Sequence, residues 1–515
     1  MGRFFNTAGP CVLADHYTID PLSRLTNVRQ LIDNKRYFIL HAPRQTGKTT
    51  TMLGIMEALN REGKYIALYI NVEPAQAVGQ DVLAANDVFL DSVTDNAQVL
   101  LPKEYWPSKT TTAGRRSANR FKTFLTRWCG ELPKPLVLFI DEADALIGDP
   151  LLSLLRQLRS GYTLRPAAFP QSVALIGLRD IRDYRIFSGK EQRFIIGGSA
   201  FNIKDESLTM GSFSKEETFS LFAQHTAETG QQFTTEALEM IFDQTQGQPW
   251  LVNAIGRELC FGQHKVPDGR TITPEDVHKA IEILILRRDT HLDHLGDKLT
   301  DPRVMPIIEE IMTGISPPLD NVYDDNLQYV KDLGLVKKSP DGLAIANPIY
   351  REVIPRQLTF RQQETYRDTP RTYLKPDGKL DIEKMMELFI EFYKENGEIL
   401  TKRKQYIEAA HHLAFMGWLQ RLVNGGGYIR REYASGLKFI DMVILFAGEK
   451  FVFELKTEKN YKKEKALPQI AAYAQRMNVR EGYLLVFRRD ITDVEAVGQR
   501  EELEHDGVRV HLYWI

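Results

Sequence analysis

The ten residues HAPRQTGKTT, 41 to 50, stand between an apolar run, Tyr37-Phe38-Ile39-Leu40, and a helix-like run from Met52 to Leu59. Few folds accept that order, because a buried strand must hand over through a tight, glycine-bearing loop to a helix that starts at once. Such a loop turns successive backbone N–H groups and the positive end of the helix toward an anion, and Gly47 lets the backbone come close to a phosphate. Ala42, Pro43, Arg44, Gln45, Thr46 and Gly47 then form the cradle, Lys48 reaches the β- and γ-phosphates, and Thr49 and Thr50 open the helix, with the Thr49 hydroxyl on Mg²⁺. Ala42 stands where the pattern has its first glycine, which removes some backbone freedom at the loop's start. The stretch predicts an α/β sheet carrying a nucleotide site, with ATP and Mg²⁺ as cofactors.

Further strands fit that sheet. KYIALYINV (64–72) has the apolar density of a buried parallel strand, and Asn71 and Glu73 lie at its carboxyl end, where open α/β sheets hold ligands. LVLFIDEAD (136–144) is a buried strand ending in two carboxylates, about ninety residues beyond the phosphate loop. Asp141 is placed to hold Mg²⁺ and Glu142 to polarise the attacking water. SVALIGLRD (172–180) ends near Arg179, the candidate sensor on the γ-phosphate side, with Arg193 and Arg156 as weaker candidates for a finger acting in cis or in trans. Residues 1 to 35 form a segment able to lie over the base, and the polar stretch from Pro102 to Arg120 reads as a loop or excursion.

This order of motifs, followed by TQGQPWLVNAIG (245–256), resembles STAND-type NTPases of the AAA+ group. The resemblance implies a helical lid whose Gly-x-Pro, here Gly247, Gln248 and Pro249, packs Pro249 on the adenine side. Capped helical patterns such as SKEETFSLFAQHTAETG extend that lid over 206–290. Residues 291–355, with VMPIIEEIM, DDNLQYVKDLGLV and a hairpin-like end, resemble the winged-helix module that follows the lid in STAND and origin-binding ATPases. The acidic second helix favours a brace on the ATPase over a DNA reader.

Pro370 and Pro376 punctuate a polar linker, 356–379. Beyond it KQYIEAAHHLAFMGWLQRLV reads as a helix from which Glu408 projects, and the strands YIRREY, KFIDMVILF and KFVFELK follow. Counting outward from a turn at Gly448 and Glu449 pairs Asp441 with Lys456 and leaves Glu454 on the same face. Two carboxylates so close call for a hard cation, to which the Leu455 carbonyl adds a ligand, and Lys456 steadies charge on a phosphate. The order resembles the PD-(D/E)xK nuclease superfamily on Asp441, Glu454 and Lys456, with Glu408 matching the acid of the preceding helix. Ile440 stands where that motif has its proline. Gln469 and Tyr473, four apart, match the QxxxY element of some members. The alternative is a structural ion pair in which Lys456 merely neutralises the acids. Lys459, Lys462, Lys463, Lys465, Arg430 and Arg431 suggest a phosphate track or, equally, a solvated basic loop.

The 515 residues suffice for about three domains, and a net charge of -2 names no partner. Three cysteines far apart, Cys11, Cys129 and Cys260, argue against a disulfide framework or zinc site and for a reducing cytoplasm. No long apolar run and no cleavable leader are expected. The predicted architecture is α/β and multidomain: a P-loop parallel-sheet ATPase core over 1–205, the helical lid, the winged helix, the linker, and a restriction-endonuclease-like α/β domain over 380–515. The resulting expectation is an ATP-hydrolysing regulator of a Mg²⁺-dependent DNA endonuclease in the same chain, suited to defence against foreign DNA. The alternative is a nucleotide-switched DNA-binding or scaffold protein whose nuclease fold does not cut. DNA is the expected partner, with RNA and self-association left open and no membrane.

Overall fold

Five parallel strands form the first sheet in the computed structural model: β1 (Tyr37–His41), β2 (Ile66–Asn71), β3 (Leu136–Asp141), β4 (Ser172–Gly177) and, after the small hairpin β5 (Arg185–Ser188) and β6 (Arg193–Ile196), β7 (Lys204–Thr209). The structure describes all residues except 1, 115, 147, 181–184, 189–192, 197–200, 288–289, 313–323, 341, 355–372, 402–414, 416–417, 420–426, 433–440, 459–460 and 489–496. The chain divides into two units, Met1–Arg287 with Lys331–Gly334, and Arg288–Val330 with Leu335–Ile515.

In the first unit the sheet order is β2-β3-β4-β1-β7. β3 and β4 are buried along their whole length and β1 nearly so, which is why they read as unbroken apolar runs. Alternate residues divide between two cores. Ile39, Leu68, Leu138 and Leu175 face the helices Val82–Leu100, Arg120–Glu131 and Asp149–Gly161, while Phe38, Leu40, Phe139 and Ile176 pack with Val28–Asp33 and Lys48–Glu62. Three of these helices, Val82–Leu100, Arg120–Glu131 and Asp149–Gly161, have no counterpart in the sequence analysis. β7 crosses the expected boundary at residue 205: KDESLT is a polar edge strand, paired among the described residues only on its β1 side, so it carries no apolar signature. The registers bring His41, Gly177, Asp141 and Asn71 to one carboxyl edge. A parallel sheet in this order, with a phosphate loop leaving β1, fits the α/β fold of P-loop ATPases.

The second unit holds the helices Thr290–Leu299 and Met305–Met312 and the hairpin β8 (Val336–Ser339) and β9 (Gly342–Ile345). It also holds a six-stranded mixed sheet of β10 (Gly427–Glu432), β11 (Asp441–Phe446), β12 (Glu449–Thr457), β13 (Glu481–Phe487), β14 (Arg500–His505) and β15 (Val508–Trp514), in the order β10-β11-β12-β13-β15-β14. One face packs on Phe389 and Tyr393 of the helix Ile382–Thr401, and the other on the helix Lys463–Arg476. Most of the linker 356–379 and most of the expected helix around Glu408 lie outside the described residues. Phe415, Trp418 and Leu419 from that stretch are helical and buried.

The hairpin register corrects the sequence expectation. Asp441 stands opposite Glu454, not opposite Lys456, because the two-residue turn is Ala447-Gly448 and Phe446 pairs with Glu449. Both turn residues have left-handed backbone, φ 47° and 80°, as the tightest hairpin turns require, so the turn sits one residue earlier than the Gly448-Glu449 count assumed.

Candidate functional site

Between β1 and its helix the backbone curls through Gln45 (φ 59°) and Gly47 (φ 89°). A Cβ at Gly47 would meet nothing nearer than 3.8 Å, so glycine answers the dihedral rather than crowding. The Thr46 hydroxyl donates to the Pro43 carbonyl at 2.8 Å. Lys48 is buried, and its ammonium donates to the carbonyls of Ala42 (2.8 Å) and Pro43 (3.0 Å). Burial pulls its pKa down, against the raising pull of Asp141, Glu142 and Asp144.

The end of β3 meets this loop directly. The Thr49 hydroxyl donates to Asp141 Oδ2 at 2.8 Å, and the Tyr69 hydroxyl donates to the same oxygen at 2.7 Å. A hydroxyl and a carboxylate side by side at the sheet edge are hard oxygen donors that suit Mg²⁺. Glu142 follows in left-handed backbone, φ 56°, and its N–H donates to Asp141 Oδ1. Burial first, then the neighbouring Asp144 and Asp141, raises the Glu142 pKa, with Lys48 opposing. That leaves a carboxylate of raised basicity directly after Asp141 at the end of β3.

Lys48, Thr49 and Glu142 open onto a cleft of about 400 Å³, lined by Arg44 to Thr51, by Glu73 and Glu142, by parts of residues 6–24, and by Pro249, Trp250 and Asn253 of the lid, while Asp141 is buried and does not line it. The N-terminal segment therefore does border the cleft. Gly247 is required on two counts: its φ is 69°, and a Cβ there would lie 2.0 Å from the Phe213 carbonyl oxygen. Pro249 begins the helix Pro249–Phe261, where a missing N–H costs nothing.

Arg179 is not among the cleft-lining residues. Its Nε donates to Asp332 Oδ2 at 2.9 Å in a largely buried pair. Asp332 belongs to the short stretch Lys331–Gly334 that groups with the first unit, and Gly334 (φ 72°) sits so near the loop that a Cβ would be 2.7 Å from Pro43. Arg156 is exposed on the helix Asp149–Gly161, and the side chain of Arg193 lies outside the described residues. Arg24 was missed in the sequence. It donates to the carbonyls of Thr46 (3.2 Å) and Gly211 (2.6 Å), lies over the Phe213 ring, and lines the cleft. A single arginine in a helix-like segment gives no signal of that placement.

In the second unit Glu454 and Lys456 are both buried, two residues apart on β12, and joined by a short ion pair. Gln469 Oε1 accepts a further bond from the Lys456 ammonium at 3.3 Å, and Tyr473 is buried on the same helix. Leu455 is buried on the opposite face of the strand. Asp441 is fixed by backbone register opposite Glu454. Glu408 and Lys459 lie outside the described residues, as do the side chains of Arg430 and Arg431. Lys462 and Lys465 are exposed, and Lys463 stands 3.6 Å from Glu501. Among the described residues no group of three or more His, Cys, Asp or Glu side chains is gathered for a metal.

No protein-family profile matches the chain, and no curated protein does. Among solved structures, the Walker-type ATPase PABY2304 of Pyrococcus abyssi is similar at 16% identity and TM-score 0.44, over 68% of this chain and 99% of its own. Cdc6p from Pyrobaculum aerophilum is similar at 15% identity and TM-score 0.35, over 66% and 94%. The Thermotoga maritima RuvB Holliday junction branch migration motor is similar at 15% and 0.32, over 64% and 94%. Among the described residues no helix is long and apolar enough to cross a membrane.

Proposed function

We propose that the first unit binds and hydrolyses ATP and thereby controls a phosphodiesterase site in the second, with DNA as its substrate. The observation that carries the nucleotide half is the hydrogen bond from Thr49 to Asp141 next to a cleft that Lys48, Thr49 and Glu142 line together. Thr49 and Asp141 would hold Mg²⁺, which when bound neutralises charge on the β- and γ-phosphates. Lys48 binds the terminal phosphates, the loop's N–H groups orient them, and Glu142 accepts a proton from the attacking water. The test is steady-state ATP hydrolysis by the full chain with and without Mg²⁺.

Glu142→Gln is expected to keep nucleotide bound while slowing turnover, because the amide fills the same space without accepting the proton. The pH behaviour follows from the raised pKa. Wild-type turnover should fall with acidification through a value above the ordinary glutamate range. A raised carboxyl pKa stabilises the fold fully only below its unfolded value, and that contribution is lost as pH rises through the folded value. Glu142→Gln should therefore melt at a higher temperature than wild type at neutral pH, with the difference shrinking in acid. A mutant with wild-type turnover would show that another group is the base.

Arg179 must leave Asp332 before it can serve a γ-phosphate. Asp332→Asn weakens that hold while keeping the shape, and is expected to raise turnover several-fold, whereas Arg179→Ala should lower it. Equal turnover in wild type and Asp332→Asn would remove the pair as a brake.

For the second unit, Glu454, Lys456 and Gln469 with Asp441 in register support a Mg²⁺-dependent nuclease, in which Asp441, Glu454 and the Leu455 carbonyl would hold the metal. Defence against foreign DNA is a setting such a pairing would suit. One observation favours the other reading: the buried Glu454–Lys456 pair is self-satisfying, as a binding scaffold that does not cut would keep it. Nicking of supercoiled plasmid by the full chain with Mg²⁺ separates the two.

A further inference from the structure

The short helix Pro21–Arg24 brings a cation to the phosphate loop from outside the motif. Pro21 is buried against Gly54 of the helix Lys48–Glu62, where a Cβ would lie 2.6 Å from the proline ring, so only glycine lets the two segments come this close. Asp20 caps the short helix, accepting from the Leu22 N–H at 3.2 Å. Arg24, the last residue of that helix, is thereby delivered to the loop with its side chain only 7% exposed.

Its guanidinium ties two backbone segments together. Nη1 donates to the Thr46 carbonyl at 3.2 Å and Nη2 to the Gly211 carbonyl at 2.6 Å, while Nε stands 3.6 Å from Glu217 Oε1. The guanidinium carbon lies 4.8 Å from the centre of the Phe213 ring. Gly211 and Phe213 follow β7, and Glu217 belongs to the capping box that opens the helix Lys215–Thr229. A planar fork can reach two carbonyls at once, which a single ammonium in its place could not. Thr46 and Gly47 share a planar trans peptide, whose carbonyl and N–H point to opposite sides. Holding the Thr46 oxygen on Arg24 therefore turns the Gly47 N–H away from the guanidinium. Gly47, at φ 89° and without a Cβ, offers that peptide little resistance to flipping, and a flipped peptide presents a phosphate with an oxygen in place of a donor.

We infer that Arg24 is a positioning residue for nucleotide binding, which keeps the Thr46–Gly47 peptide oriented as an anion donor and holds the phosphate loop to the start of the lid. This rests on the nucleotide reading of the phosphate loop, and deepens it by naming a residue outside the motif that keeps the cradle in shape. Arg24 acts through the loop's backbone, with both Nη atoms already bonded to carbonyls.

The experiment measures affinities of the full chain for ATP and ADP, by displacement of a ribose-labelled fluorescent ATP in Mg²⁺, with KM and kcat for ATP hydrolysis and thermal melting on the same preparations. Arg24→Gln is expected to weaken ATP and ADP by one common factor, about tenfold, because the cradle serves the phosphates they share. KM should rise by about that factor and kcat fall less, as when binding is lost alike from ground and transition states. Arg24→Lys keeps the charge but cannot bond both carbonyls, and should recover only part of the loss. Full recovery in Arg24→Lys overturns the inference, since charge alone then suffices. A loss confined to ATP overturns it too, because Arg24 would then touch the terminal phosphate itself. So does an Arg24→Gln that melts lower and binds both nucleotides as wild type does. Should Arg24→Gln fail to fold, wild-type affinities in Arg24→Lys overturn it equally. A wild type that binds neither nucleotide overturns the nucleotide reading instead.

Discussion

Lys48→Ala is expected to weaken ATP binding by two to three orders of magnitude and to abolish measurable hydrolysis. The ammonium is buried beside the loop, with its neighbours Asp141, Glu142 and Asp144 sustaining its charge against burial. Its removal would leave the terminal phosphates without the nearest buried cation. Truncating one partner of a buried, hydrogen-bonded charge pair costs about 2–5 kcal/mol, and each 1.4 kcal/mol is about tenfold in affinity. The same ammonium also ties the carbonyls of Ala42 and Pro43, so alanine loosens the loop that must form the cradle. Lys48→Arg separates the two roles: it keeps the charge but does not fit the space between those carbonyls, and binding should fall less than hydrolysis. The check is nucleotide titration and phosphate release on the same preparations, with circular dichroism to show that the fold is kept. Unchanged hydrolysis in Lys48→Ala would sink the nucleotide reading.

The parts of the fold that were legible in the sequence are those whose burial is two-sided. β3 and β4 are covered on both faces, so their apolar runs announce them without periodicity, and the carboxylates and arginine that end them mark the ligand edge of the sheet. β7 failed that test because an edge strand exposes side chains, and Lys204-Asp205-Glu206 reads as loop. The helix Ile382–Thr401 has no counterpart in the sequence analysis, although Met385, Met386, Phe389, Phe392 and Tyr393 stand at helical spacing and its N-terminus follows Asp381. Contacts made across the fold were not legible. Arg24 on Thr46 and Asp332 on Arg179 depend on where distant backbone arrives, and nothing local in those residues fixes it. The hairpin register shows the same limit on a smaller scale. A shift of one turn residue moves a whole strand's partners, and only the left-handed pair Ala447-Gly448 decides it.

Lys456→Ala should eliminate cleavage and also destabilise the second unit, and the two effects can be told apart. Glu454 and Lys456 are each 2% exposed in their side chains. Removing the cation leaves a carboxylate in a site closed to water, for which about 3–5 kcal/mol is the usual loss. Replacing both by uncharged residues of similar shape, Glu454→Gln with Lys456→Met, removes the unpaired charge and should recover most of that stability. It should recover none of the cleavage, because Asp441 alone is left as an acid for the metal and no cation for the phosphate remains. A scaffold reading gives a different pattern: DNA binding would follow stability, returning in the double variant, and no variant would cut. Urea unfolding followed by the fluorescence of the full chain, with plasmid nicking and filter binding measured alongside, reads all three quantities. Cleavage by Lys456→Ala at the wild-type rate ends the nuclease reading. A wild type that binds nucleic acid and cuts neither DNA nor RNA with any divalent metal leaves Glu454 and Lys456 as a structural pair beneath a binding surface.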